Sequence, residues 1–162
     1  MNKKQLILMI TAFICDQISK VIITSYLKVF DSITIIKNFF KITYYNNYGA
    51  AWGMFQNNTI LLVILSIIAL IIIYRFSYNF KKNTRNNIAF SILTAGILGN
   101  LSDRLFLGYV RDFLDFKIFN YDFPIFNLAD SFIVIGVILL IISIIKGEDK
   151  NGSSSNRKGK NR

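Results

Sequence analysis

The sequence predicts an all-α integral membrane protein with four transmembrane helices, both termini cytoplasmic, and a small extracytoplasmic β-sheet and loop. Three observations predict it. Apolar residues make up 53% of the 162, and charged residues only 17%, where soluble domains carry about a quarter. The apolar residues gather in four long blocks, and a helix needs about 20 residues to cross a core of roughly 30 Å. The net charge of +10 flanks those blocks, so it reads as membrane topology and not as a nucleic-acid surface.

The first block runs roughly from Gln5 to Leu27 and is interrupted by Asp16, Gln17, Ser19 and Lys20. Lys3 and Lys4 before Leu6–Ile14 look like the start of a secretory signal peptide. Bulky Phe13 and Ile14 stand where processing would need small residues, and the apolar stretch continues, so a retained anchor is expected. The second block, Thr59 to Phe76, is nearly pure Leu, Ile, Val and Ala. The third, about Ile88 to Leu107, contains Gly96, Gly99, Asn100, Asp103 and Arg104. The fourth runs from near Ala129 to Ile145.

Lysine and arginine set the expected orientation. Lys3, Lys4, Arg75, Lys81, Lys82, Arg85, Lys146 and the tail's basic residues fall on one side, which is then cytoplasmic. Lys28, Lys37, Lys41, Arg111 and Lys117 fall on the other. Seven of the nine acidic residues then sit in the outer half. Residues 1–146 form one domain, with an outer loop at about 29–58. In that loop Ser32–Ile36 and Phe39–Tyr45 are β-branched and aromatic, which suits a short sheet. Trp52 and Phe55 suit the headgroup belt. Residues 147–162 form a basic, polar tail expected to be disordered and cytoplasmic, and able to touch membrane lipid.

The sequence has no histidine, which removes Ser-His-Asp and Cys-His catalysis and histidine-ligated metals. Cys15 is alone and cannot close an intramolecular disulfide. Acid–base chemistry is left to Asp, Glu, Lys or Tyr. Asp130 precedes Lys146 by sixteen positions, about 24 Å of helix, which puts it just inside the outer edge of the core. Asp112 follows the third helix closely enough to return to that depth. Two carboxyls sharing such a site cannot both ionise cheaply, so one serves as base and one as acid. The alternative is two interfacial aspartates, with Asp130 capping its helix.

Asp16 and Lys20, four apart, share a helix face, and an internal ion pair is the favoured reading. Ser19 and Lys20 suggest a serine-lysine hydrolase, although adjacent helix positions point about 100° apart. Asn47 to Gly53, with Gly49, lets backbone come close to a neighbouring helix or to an extended peptide. Gly99 to Arg104 puts amide, acid and guanidinium near the outer end of the third helix, with ordinary snorkelling of Asp103 and Arg104 as the alternative. A hard-cation site at Asp112, Asp115 and Asp122 lacks any calcium-loop pattern, and no metal is expected.

Five pieces in order carry a resemblance: Asp16-Gln17-Ile18-Ser19-Lys20, Asn47-x-Gly49-Ala50-Ala51-Trp52-Gly53, Gly99-Asn100-x-x-Asp103-Arg104, Val110-x-Asp112-Phe113, and Phe126-Asn127-Leu128-Ala129-Asp130-Ser131. Together they resemble the lipoprotein signal peptidase family, signal peptidase II, over nearly the whole chain to about Ile145. The resemblance implies an aspartic endopeptidase that cuts diacylglyceryl-modified prolipoproteins just before the lipidated cysteine. It implies Asp112 and Asp130 as the catalytic pair, and Asn47, Asn100, Arg104 and Asn127 as pocket residues holding substrate, with Gly49 beside them. Asp16 and Lys20 take a supporting role. It also implies the bacterial cytoplasmic (inner) membrane, an active site near the extracytoplasmic face, a monomer as working unit, and no cofactor or nucleic acid. One departure is Ile97-Leu98, where the family tends to have small residues before Gly99-Asn100.

Overall fold

A computed structural model describes residues 3–50, 54–119 and 121–149. Among these residues four helices appear in chain order, α1 (Lys3–Tyr26), α2 (Thr59–Ser77), α3 (Thr84–Leu107) and α4 (Leu128–Ile145). Four strands join them: β1 (Ser32–Ile36), β2 (Phe40–Asn47), β3 (Val110–Ile118) and β4 (Tyr121–Asp122). The strands form one antiparallel sheet in chain order.

The expectation of four transmembrane helices is corrected here. Among the described residues, three helices can cross a membrane by length and composition: α1, α2 and α4. The placing of both termini on one side, which followed from four spans, loses its basis with it. The physical reason lies in α3, which is the core of the molecule. Twelve of its 24 residues are buried, against one in α2. A helix surrounded by protein can carry polar residues where partners meet them, and buried Asn86, Ser91, Asn100 and Asp103 dilute its apolar character. The label all-α fails too, because the sheet has four strands and takes in residues from both sides of α3.

Local chemistry places the ends of the elements. Asn83 caps α3, its side chain accepting from the Asn86 N–H, so the helix starts before Ile88. Gly108 ends it in the left-handed region, at φ 83°, with its N–H donating to the Arg104 carbonyl. That glycine stop reverses the chain without a Cβ penalty and sends β3 back across the end of the bundle. β1 and β2 fall where the β-branched residues predict them, and β2 runs on to Asn47. Phe55 is exposed, while Trp52, its neighbours Ala51 and Gly53, and the tail beyond Asp149 lie outside the described residues.

The sheet is fastened to the start of α4 by the return segment before it. The Phe113 and Leu114 N–H groups donate to the Phe126 carbonyl, and the Phe126 N–H donates back to Leu114. Phe116 stacks between Phe40 and Phe126, with ring centroids at 4.5 and 5.7 Å. Such offset aromatic pairs add about 1 kcal/mol each beyond burial. Asn127 is thereby fixed relative to β3.

Candidate active site

The site is built where three elements end: the last turns of α3, the start of β3 and the first turn of α4. Register supplies the first contact. Asn47 on β2 pairs with Val110, so Asp112 is its diagonal neighbour on the same face, within reach across strands. The Asn47 side-chain amide donates to Asp112 Oδ2 at 2.8 Å, and the Asn127 amide donates to Oδ1 at 2.6 Å. Neither amide can turn round. Asn47 Oδ1 accepts from the Gly49 N–H at 2.9 Å, and Asn127 Oδ1 accepts from the Asp130 N–H at 3.0 Å.

Asp130 is held in the same manner. Asn127 is the N-cap of α4, and the Asn127 N–H donates to Asp130 Oδ2 at 3.1 Å, which completes a capping box. Asn100 donates to Asp130 Oδ1 at 2.7 Å. The orientation of Asn100 is set by Lys20, which donates to its oxygen at 3.0 Å, joined by Asn127 at 3.1 Å. Each carboxyl thus receives two N–H groups, and one residue, Asn127, serves both. The capping reading of Asp130 and the paired-carboxyl reading are compatible: the cap is what aims the side chain.

Behind this pair lies a charge cluster. Lys20 meets Asp16 at 2.9 Å and Asp103 at 3.3 Å, and all three side chains are essentially inaccessible. Arg111 meets Asp103 at 2.7 Å, and its N–H donates to the same carboxylate at 3.0 Å. Asp16 Oδ1 accepts from the Ala129 N–H at 2.9 Å, so a residue of α1 satisfies an orphan donor in the first turn of α4. This contact needs Gly99, since a Cβ there would come within 2.5 Å of Asp16 Oδ2. The favoured ion pair of Asp16 and Lys20 is present, but Asp103 and Arg111 are full members of the cluster, and a snorkelling Asp103 is not what the fold contains.

Arg104 is half-buried and donates to the Gly49 carbonyl at 3.0 Å, so the Gly49 backbone approaches α3. Ser19 donates to the Asp16 carbonyl of its own helix at 2.7 Å, while Lys20 is committed elsewhere, so the two do not form a nucleophile–base pair. Asp115 accepts from Thr43 at 2.6 Å, and exposed Asp122 sits beside Lys117 at 3.7 Å. Among the described residues no acidic group gathers into a metal cluster.

Asp112 and Asp130 line one cavity of about 760 Å³, together with Asn47, Asn100 and Arg104. Its remaining wall is mostly apolar, with Leu65 and Ala69 on α2, Ile97 on α3 and Ile133 on α4. The unusual Ile97 is therefore a wall residue. Asp112 is 1% exposed, and its carboxyl is pushed up to about 7, first by burial and then by the nearby Asp130 charge, against the two amide donors and Lys20. A carboxyl in that range exchanges a proton at neutral pH.

Fold and site together define a class: a multi-pass helical membrane protein with two carboxyls in an apolar cavity beneath a small sheet. The chain belongs to the signal peptidase II family, whose model, described as signal peptidase (SPase) II, matches residues 8–146. It is 43% identical over 166 residues to a lipoprotein signal peptidase of Staphylococcus aureus, covering 99% of this chain and 98% of that one. It is similar to two solved structures described as bacterial membrane enzymes. One is 41% identical with a TM-score of 0.80, covering 98% of this chain and 94% of the other. The second is 42% identical with a TM-score of 0.78, covering 88% and 93%. Family membership makes the protein a peptidase, and with three apolar helices a multi-pass bacterial membrane protein.

Proposed function

We propose that the protein is an aspartic endopeptidase that removes the signal peptide from diacylglyceryl-modified prolipoproteins, cutting just before the lipidated cysteine, with Asp112 and Asp130 as the catalytic pair. The observation that carries this reading is Asn127, whose side chain and backbone N–H hold the two carboxyls against one cavity. Charge balance supports it. Asp16, Asp103, Asp112 and Asp130 would carry four negative charges, and Lys20, Arg104 and Arg111 three positive ones. One proton on the pair balances the cluster. That is the state in which one carboxylate takes a proton from water while the other carboxyl protonates the scissile carbonyl oxygen. The tetrahedral intermediate then returns a proton to the leaving amine and the C–N bond breaks.

Asn47, Asn100 and Asn127 hold the carboxyls and remain beside the substrate backbone. Arg104 and Gly49 close one side, and Asp16 with Lys20 supports the floor. The apolar wall suits a membrane-spanning signal segment and acyl chains. The setting is the bacterial cytoplasmic (inner) membrane, with the site near the extracytoplasmic face and one copy of the chain sufficient. This chemistry requires no metal or cofactor.

The test is a gel shift of a lipidated reporter in membranes containing the chain. Asp112→Asn and Asp130→Asn each lower cleavage by about 10³-fold or more while the protein still inserts, and Ser19→Ala retains activity. Full activity in either Asn variant would sink the pair.

A further inference from the structure

A separate cavity of about 630 Å³ opens over α3 between α1 and α2. These two helices each pack on α3 and share almost no contact with one another. None of the residues lining this cavity lines the one holding Asp112 and Asp130. Its floor is a column on α3: Asn86, Phe90, Thr94 and Leu98. Spacing by four stacks them along one face, and twelve positions at 1.5 Å span about 18 Å. That is close to half of a hydrocarbon core of roughly 30 Å. The groove is one leaflet deep, which fits an acyl chain and is too short for a crossing peptide.

Its mouth is basic. Lys81 and Lys82, in the turn between α2 and α3, line it, and among the described residues neither ammonium has an ion pair. Glu148 is close enough for its backbone carbonyl to accept from the Lys81 N–H, but its carboxylate is taken by Arg85 and Asn83. Tyr74 and Tyr78 meet at the same rim, ring centroids 5.2 Å apart, and tyrosine favours headgroup level.

We propose that this groove binds an anionic phospholipid, with its phosphate between Lys81 and Lys82 and one acyl chain laid along α3. Positive charge above an apolar trough one leaflet deep matches that chemistry at both ends. The lipid also completes the packing of α2, whose main helix partner among the described residues is α3.

Native mass spectrometry of the full chain, released from nanodiscs of equal parts phosphatidylcholine and phosphatidylglycerol, tests it. The unaltered chain retains phosphatidylglycerol over phosphatidylcholine by roughly 25-fold, about fivefold per lysine. The Lys81→Gln/Lys82→Gln variant, altered at two exposed positions, retains the two lipids equally. Lys146→Gln, which removes an exposed charge outside the groove, keeps the preference. An undiminished preference in the double variant overturns the proposal. An equal loss with Lys146→Gln does so too, since diffuse charge then explains retention, as does a dimer of the chain found in place of bound lipid.

Discussion

The two ends of the bundle are both polar, and they are built on different terms. At the end away from the carboxyl pair, Arg85 meets Glu148, Asn83 donates to the same carboxylate, and Ser143 links Arg85 with Asn86. One cation and one anion close that clasp between α3 and the end of α4. At the other end four acids face three bases, and the surplus falls on Asp112 and Asp130. Matched charges hold helices together. A mismatch of one, buried, favours a proton on the site, in line with the raised Asp112 carboxyl.

The comparison breaks most visibly at Lys20. Lys20→Met removes the cation that meets both buried Asp16 and buried Asp103. Removing one partner of a buried ion pair costs about 3–5 kcal/mol, so the thermal aggregation midpoint in detergent should fall steeply and reporter cleavage with it, because Asn100 loses its anchor. An unchanged midpoint would mean that the cluster is solvated. Asn127→Ala is next. It removes a helix cap worth about 1 kcal/mol, yet cleavage should drop about 100-fold, since one side chain aims both carboxyls. A loss of cleavage no larger than the loss of folded protein would make Asn127 a cap and nothing more.

Acidity sharpens the comparison next. The Asp112 carboxyl is pushed up to about 7 from an ordinary value near 3.8, so the folded chain binds its proton more tightly than the unfolded one. Stability from this group is full below the unfolded value and is lost as pH rises through the folded one. The thermal midpoint of the unaltered protein should decline between about pH 4 and 7, and that of Asp112→Asn should be flatter. Cleavage should fall on the alkaline side as the pair gives up its shared proton. Parallel midpoint curves for the two proteins would show that Asp112 is not the titrating group.

Much of this site was legible in the sequence, for physical reasons that differ by residue. Asp16 and Asp130 stand in apolar helices, where an unexplained acid is costly and therefore informative. β1 and β2 were legible from their β-branched residues. β3 was not read as a strand, although Leu114-Asp115-Phe116-Lys117-Ile118 alternates apolar and charged residues, the signal that could have found it. The Asp103–Arg111 pair was out of reach, because it forms only when Gly108 reverses the chain. The count of spans failed at α3, where a segment long enough to span was read as a membrane crossing, and the fold instead makes that helix its buried centre.

The smallest effect belongs to the clasp. The Glu148 carboxyl is held below its ordinary range, first by Arg85 and then by Asn83, so its contribution is present at neutral pH and is lost as pH falls through that lowered value. Glu148→Gln keeps an oxygen for Asn83 and removes the charge facing Arg85. Cleavage at neutral pH should then stay within about twofold of the unaltered protein, because the Arg85–Glu148 clasp itself is charge-matched and has no shared proton to exchange. Along α3, Asn86 and Asn100 are fourteen positions apart, about 21 Å of helix, which separates the clasp from the pair. If Glu148→Gln instead altered the pH profile of cleavage, the two ends would be coupled through α3, and the division between a matched end and a mismatched one would be lost.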